Sequence, residues 1–108
     1  AHADHVHGMD DLRVFSERAR GELRGYASQA TADTLRQRFR YIFDAAMRPL
    51  PGTTKPEAAL QVVEPFRPVE AAGFTLTPLP VPHGTEEVTA FRAGALGYVT
   101  DAKCLPPA

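Results

Sequence analysis

Ala1-His2-Ala3-Asp4-His5 is the stretch on which the reading of this chain turns. Two imidazoles and a carboxylate fall within four positions, and nitrogen and oxygen donors of this kind suit zinc and other divalent first-row ions. The cluster stands at the very start of the sequence. Two explanations are open: a loose terminus that contains histidines, or a chain that opens just inside a metal site. Further along, His83 and Asp101 are the residues that answer the cluster, because each ends a predicted strand, where a rigid scaffold presents ligands.

Directly behind the cluster, Val6, Met9, Leu12 and Phe15 recur every three residues, close to one stripe of a helix, and predict a helix over 6–18. Asp10 and Asp11 fall in its early turns, where carboxylates suit the helix dipole. His7 reads as a solvated histidine or a neighbour of the ligands. Residues 22–28 read as a short strand with Leu23 and Tyr26 as its apolar members. A second helix starts from Thr31 as N-cap, with Asp33 in its first turn and Leu35, Phe39, Ile42 and Phe43 on its inner stripe. Arg36, Arg38 and Arg40 lie among acids and read as a solvated face. Pro49-Leu50-Pro51-Gly52 cannot continue a helix, so 48–58 is a predicted loop.

The second half reads as strands. Residues 60–64 are β-prone, while Pro65 and Pro68 demote the next few residues to an edge or turn. Phe74-Thr75-Leu76-Thr77-Pro78-Leu79-Pro80-Val81 forms a strand with Phe74, Leu76, Leu79 and Val81 inward, and it delivers His83-Gly84. Residues 88–92 and 96–100 make a hairpin around Ala93-Gly94-Ala95, with Asp101 at the end of its second strand.

Composition sets outer bounds. At 108 residues, with 44% hydrophobic and 23% charged residues, one domain with a modest core is expected and wholesale disorder is not. A net charge of -1 gives no reason to expect nucleic acid or an anionic membrane as a partner. No apolar run approaches the roughly 20 residues that span a bilayer. Cys104 is alone, which favours a reducing compartment, the cytoplasm, and it reads as a buried or idle thiol.

Taken together, these stretches resemble the metallo-β-lactamase superfamily. Its hallmark is His-x-His-x-Asp-His after a strand, then a distant His in a loop, then an Asp at a strand end. Ala1-His2-Ala3-Asp4-His5 is similar to that motif without its leading His. The continuation His5-Val6-His7-Gly8-Met9-Asp10-Asp11-Leu12-Arg13 resembles the superfamily's bacterial phosphoribosyl cyclic phosphate phosphodiesterase-like branch. Tyr41-Ile42-Phe43-Asp44, Thr77 to Gly84, and Gly97-Tyr98-Val99-Thr100-Asp101 extend the likeness along the whole chain.

The resemblance implies an α+β fold, part of an αββα sandwich with a mixed β-sheet and helices on one face. It implies that 1–108 is an internal piece of one hydrolase domain, running from the ligand motif to the bridging Asp. It implies two divalent metal ions, zinc or manganese with iron also admitted. His2 and His83 would serve the first, Asp4 and His5 the second, and Asp101 both, with Asp4 also the candidate catalytic residue. Such a pair shares a hydroxide, lowers its pKa and offsets charge on the attacking and leaving oxygens. The expected substrate is a small phosphodiester, cyclic phosphates included. No residue stands out as general acid, and the isolated chain is expected to bind metal weakly and turn over little. The oligomeric state is left open, a homodimer among the options. The competing reading is a small α/β binding or interaction module without catalysis, its metal site vestigial.

Overall fold

The computed structural model describes residues 2–105 and 107. The chain divides into two compact units, Ala1–Val62 and Val63–Ala108. The expected mixture of helices with parallel and antiparallel strands is present, the parallel pair in the first unit and the antiparallel sheet in the second.

In the first unit a single helical turn, α1 (Ala3–Val6), runs into a 3₁₀ helix over His7–Leu12 and then α2 (Arg13–Ala19). The predicted single helix over 6–18 is thus three pieces, beginning before Val6. The reason lies in the spacing. A strict repeat of three matches 3.0 residues per turn rather than 3.6, so it keeps Val6, Met9 and Leu12 on one side only while the backbone is 3₁₀. Val6 is buried and Met9 and Leu12 are half-buried. Once the backbone relaxes to α at Arg13, the inward position four residues after Leu12 is Ser16, not Phe15. Ser16 is buried, and Phe15 is 59% exposed. The Ser16 hydroxyl is satisfied by donating to the Arg13 carbonyl at 3.0 Å and accepting the Glu57 N–H at 3.3 Å.

Strand β1 (Leu23–Ala27) pairs in parallel with β2 (Ala58–Val62), in the register Leu23↔Ala58 to Ala27↔Val62. Parallel neighbours need a long crossover. Residues 28–57 supply it through α3 (Gln29–Arg38) and α4 (Arg40–Phe43), which pack on β2, while α2 contacts β1. β2 starts two residues earlier than the predicted strand. Gly25 faces Leu60 across the pair, where an added Cβ would meet the Leu60 Cδ2 at 3.0 Å. The predicted N-cap at Thr31 is corrected to Ser28, whose hydroxyl accepts the Thr31 N–H at 3.4 Å. Both residues satisfy the cap pattern, and the earlier one leaves Ala32 and Leu35 buried on the inner face. Phe39 (φ -116, ψ 44) breaks the helix, so the inner stripe is carried on by the separate turn α4, with Ile42 buried. Arg36 pairs with Asp33 and donates to the Leu60 carbonyl at 3.2 Å, and Arg40 pairs with Asp44, so these two arginines are matched locally.

The second unit is a meander of four strands, β3 (Val69–Ala71), β4 (Phe74–His83), β5 (Glu86–Ala93) and β6 (Leu96–Tyr98), each antiparallel to the next. β3 falls where two nearby prolines predict an edge or a turn; it is an edge strand of the sheet, held by pairing Val69↔Leu76 and Ala71↔Phe74. Its turn, Ala72-Gly73, has φ of 50 and 84, the two positive values of a type I′ hairpin. The hairpin of β5 and β6 lies at its predicted place, but β6 ends at Tyr98. Phe74, expected to face inward, is 62% exposed. It sits at the strand's beginning, beside the β3–β4 turn, where little is left to cover it.

In β4, Pro78, Pro80 and Pro82 occupy alternate positions. The two-residue turn Gly84-Thr85 makes His83↔Glu86 a hydrogen-bonded pair, so Thr77, Leu79, Val81 and His83 turn their amides toward β5. The three prolines therefore turn away from β5, and they have no N–H to offer there. That edge presents only carbonyls. Phe66 N–H donates to the Pro78 carbonyl at 2.8 Å, and Lys103 N–H to the Pro82 carbonyl at 3.1 Å.

Candidate metal site

The ligand turn is local. His2 is the N-cap of α1, with extended backbone (φ -76, ψ 151), and its carbonyl accepts the His5 N–H at 3.1 Å. Asp4 lies in the first turn and His5 in the last, both exposed. Closing this turn brings the Asp4 Oδ2 within 3.5 Å of the His5 Nε2. Val6, buried directly behind them, anchors the turn.

That separation tests whether the pair fits an ion. In a tetrahedral site with bonds of about 2.1 Å, adjacent ligand atoms stand about 3.4 Å apart. The Asp4–His5 pair matches this edge, and imidazole with carboxylate is a donor set that divalent ions accept. The pair therefore fits two corners of one site. Among the described residues, no group of three or more His, Cys, Asp or Glu side chains is placed to hold a metal ion.

His83 ends β4 half-buried, with Gly84 next to it at φ 67, a positive value at the first turn position that glycine adopts without strain. Asp101, expected at the end of a strand, lies instead in the segment after β6, half-buried. The bond from Lys103 N–H to the Pro82 carbonyl ties that segment to the end of β4, two residues after Asp101 and one before His83. Glu86 stands directly across from His83 in register, so the two side chains leave the hairpin on the same face.

Two contacts beyond the ligand turn escape a reading of the sequence alone. Tyr41 donates its phenol hydrogen to Asp10 Oδ1 at 2.8 Å, joining α4 to the 3₁₀ helix behind the ligand turn. Burial, the hydrogen bond to Asp10 and the Asp10 charge push the Tyr41 phenol up to about 12. Lys55 donates to the Tyr41 carbonyl at 2.6 Å and the Asp44 carbonyl at 3.0 Å, capping α4. Asp44 is held below the usual carboxylate range by the Ala46 N–H and then by Arg40. Both Asp10 and Tyr41 belong to stretches that carry the family resemblance, but 31 residues of separation hide their contact. Cys104 is exposed. No helix among the described residues is long and apolar enough to cross a membrane.

Comparison with known proteins gives these features a context. The chain is 37% identical over 102 residues to an octanoyltransferase of Porphyromonas gingivalis (strain ATCC BAA-308 / W83), covering 94% of this chain and 20% of that protein. It superposes on a crystal structure of a diphosphatase from the PhnP family with a TM-score of 0.70 and 28% identity, covering 90% of this chain and 34% of the other. The chain thus spans about a fifth and about a third of these two relatives. Residues 1–107 match the beta-lactamase superfamily domain, and the chain belongs to that family.

Proposed function

We propose that the protein is a metal-dependent hydrolase acting on small phosphodiesters, with 1–108 forming part of its single hydrolase domain. The observation that carries this reading is the Asp4–His5 pair, set at the edge length of a metal site in a chain of this superfamily. The likeness to a diphosphatase supports phosphorus–oxygen bond cleavage over other hydrolyses. Two divalent ions, zinc or manganese, would supply Lewis acidity and lower the pKa of water. Asp4 and His5 would hold one of them, and the Asp4 carboxylate would also orient the His5 ring. His2 and His83 would hold the other, Asp101 would bridge, and Glu86 would fix the His83 tautomer. The lone Cys104 supports a cytoplasmic home.

The test uses the full-length protein and bis(p-nitrophenyl) phosphate. Chelation should abolish turnover, and manganese or zinc should restore it. His5→Ala and Asp4→Asn should each lower kcat/KM by more than the about 10–100-fold typical of residues one shell further out. Metal-independent turnover, or full activity in both variants, would sink the reading. The transferase name of the Porphyromonas gingivalis relative gives a second reading, acyl-ester chemistry, and an octanoyl ester in the same assay separates the two.

A further inference from the structure

The 3₁₀ helix over His7–Leu12 links the ligand turn to the rest of the first unit, with Met9 and Leu12 half-buried along it. None of its residues is buried, and its N-cap, Val6, makes no side-chain cap hydrogen bond. A Cβ placed on Gly8 would meet nothing within 4 Å. The Tyr41 phenol reaches this segment from another helix, at 2.8 Å from Asp10 Oδ1. Tyr41 is itself pinned at its other end, where its carbonyl accepts from Lys55 Nζ at 2.6 Å. Its helix turn is seated by Ile42, which is 3% exposed. A fixed donor thus meets a segment that begins two residues after His5, with Val6 between them.

We propose that Tyr41 is a positioning residue for the ligand turn: through Asp10 it sets the direction of the 3₁₀ helix, and so the placement of His5 and Asp4 for a divalent ion. The proposal rests on the metal-hydrolase reading. Tyr41 touches no ligand itself. Its effect passes through one hydrogen bond, which makes the acceptor on Asp10, rather than its charge, the requirement. Asn at position 10 retains a carbonyl oxygen for the phenol, whereas Leu does not.

The experiment is a cobalt(II) titration of the full-length, metal-free protein, tracking visible absorption, for wild type, Tyr41→Phe, Asp10→Asn, Asp10→Leu and the Tyr41→Phe/Asp10→Leu double variant. Melting temperatures of the metal-free proteins are recorded alongside. Tyr41→Phe and Asp10→Leu should each weaken cobalt binding by about 10-fold or more, the scale on which outer-shell partners act. The double variant should be no worse than either single one. Asp10→Asn should stay near wild type in affinity and in band position. If Tyr41→Phe does not fold, the contrast between Asp10→Asn and Asp10→Leu decides in its place. Wild-type affinity in Tyr41→Phe or Asp10→Leu overturns the positioning role, whatever the melting temperatures do. Should wild type take up no cobalt, the hydrolase reading falls and this proposal with it. Uptake that is equal in all variants removes only the positioning role.

Discussion

The Tyr41 phenol has a consequence for pH that can be read from its environment. Its pKa is raised from an ordinary 10.0 to about 12, so the folded state favours the protonated form. The stabilisation is therefore fully present below pH 10 and is lost as pH rises through about 12. Tyr41→Phe should remove this part of the alkaline decline, so the difference in unfolding free energy between wild type and variant should shrink between these two pH values. A difference that stays constant across that range would contradict the assignment. At the β3–β4 turn, Ala72 carries a φ of 50, a left-handed value that costs a non-glycine residue about 1–2 kcal/mol. Ala72→Asn, giving the Asn-Gly pair that this turn prefers, should stabilise by about 0.5–1 kcal/mol in a urea titration.

At the scale of elements, Ser28 is the cap on which α3 depends. Ser28→Ala should cost about 1 kcal/mol in the same titration, while Ser28→Asp should keep most of the stability. The capping pattern also shows what the sequence makes legible and what it hides. Ser28 and Thr31 offer the same chemistry three residues apart, and burial of Ala32 decides between them, which is tertiary information. The repeat of Val6, Met9 and Leu12 is visible as periodic but not as 3₁₀, because a helix of either pitch accepts a few such spacings. Hairpin β5–β6 is legible from its alternation and from Gly94. Short β3 is legible only as an edge or a turn, because Pro65 and Pro68 precede it and its pairing with β4 decides between the two. Asp4 and His5 can be paired from sequence because they share one turn. Tyr41 and Asp10 cannot, since only the folding of α4 brings them together.

For the molecule as a whole, the distribution of apolar side chains matters more than their number. Among the described residues, four of the nine buried hydrophobic ones are alanines, at 27, 32, 71 and 90. Larger ones lie outside: Val14, Phe15, Met47 and Leu50 in the first unit, and Phe66, Phe74, Leu96 and Tyr98 in the second. Exposed groups of this kind favour association. Produced by itself, the chain should elute well above its 11.7 kDa. Leu96→Lys together with Tyr98→Lys should shift it toward the monomer in light scattering. Both side chains project from the outermost strand of the second sheet, so the substitutions leave the other three strands' pairings intact.

The alternate prolines of β4 also decide what hydrogen exchange can report. Thr77, Leu79, Val81 and His83 carry amides that face β5, so their protection records the opening of that hairpin alone. The opposite edge has no amide of its own at positions 78, 80 and 82. Its closure is recorded by donors from elsewhere, and at the His83 end that donor is the Lys103 amide. Exchange at Lys103 is thus a clock for how often the Asp101 segment lifts from the strand, separate from the unfolding of the strand itself.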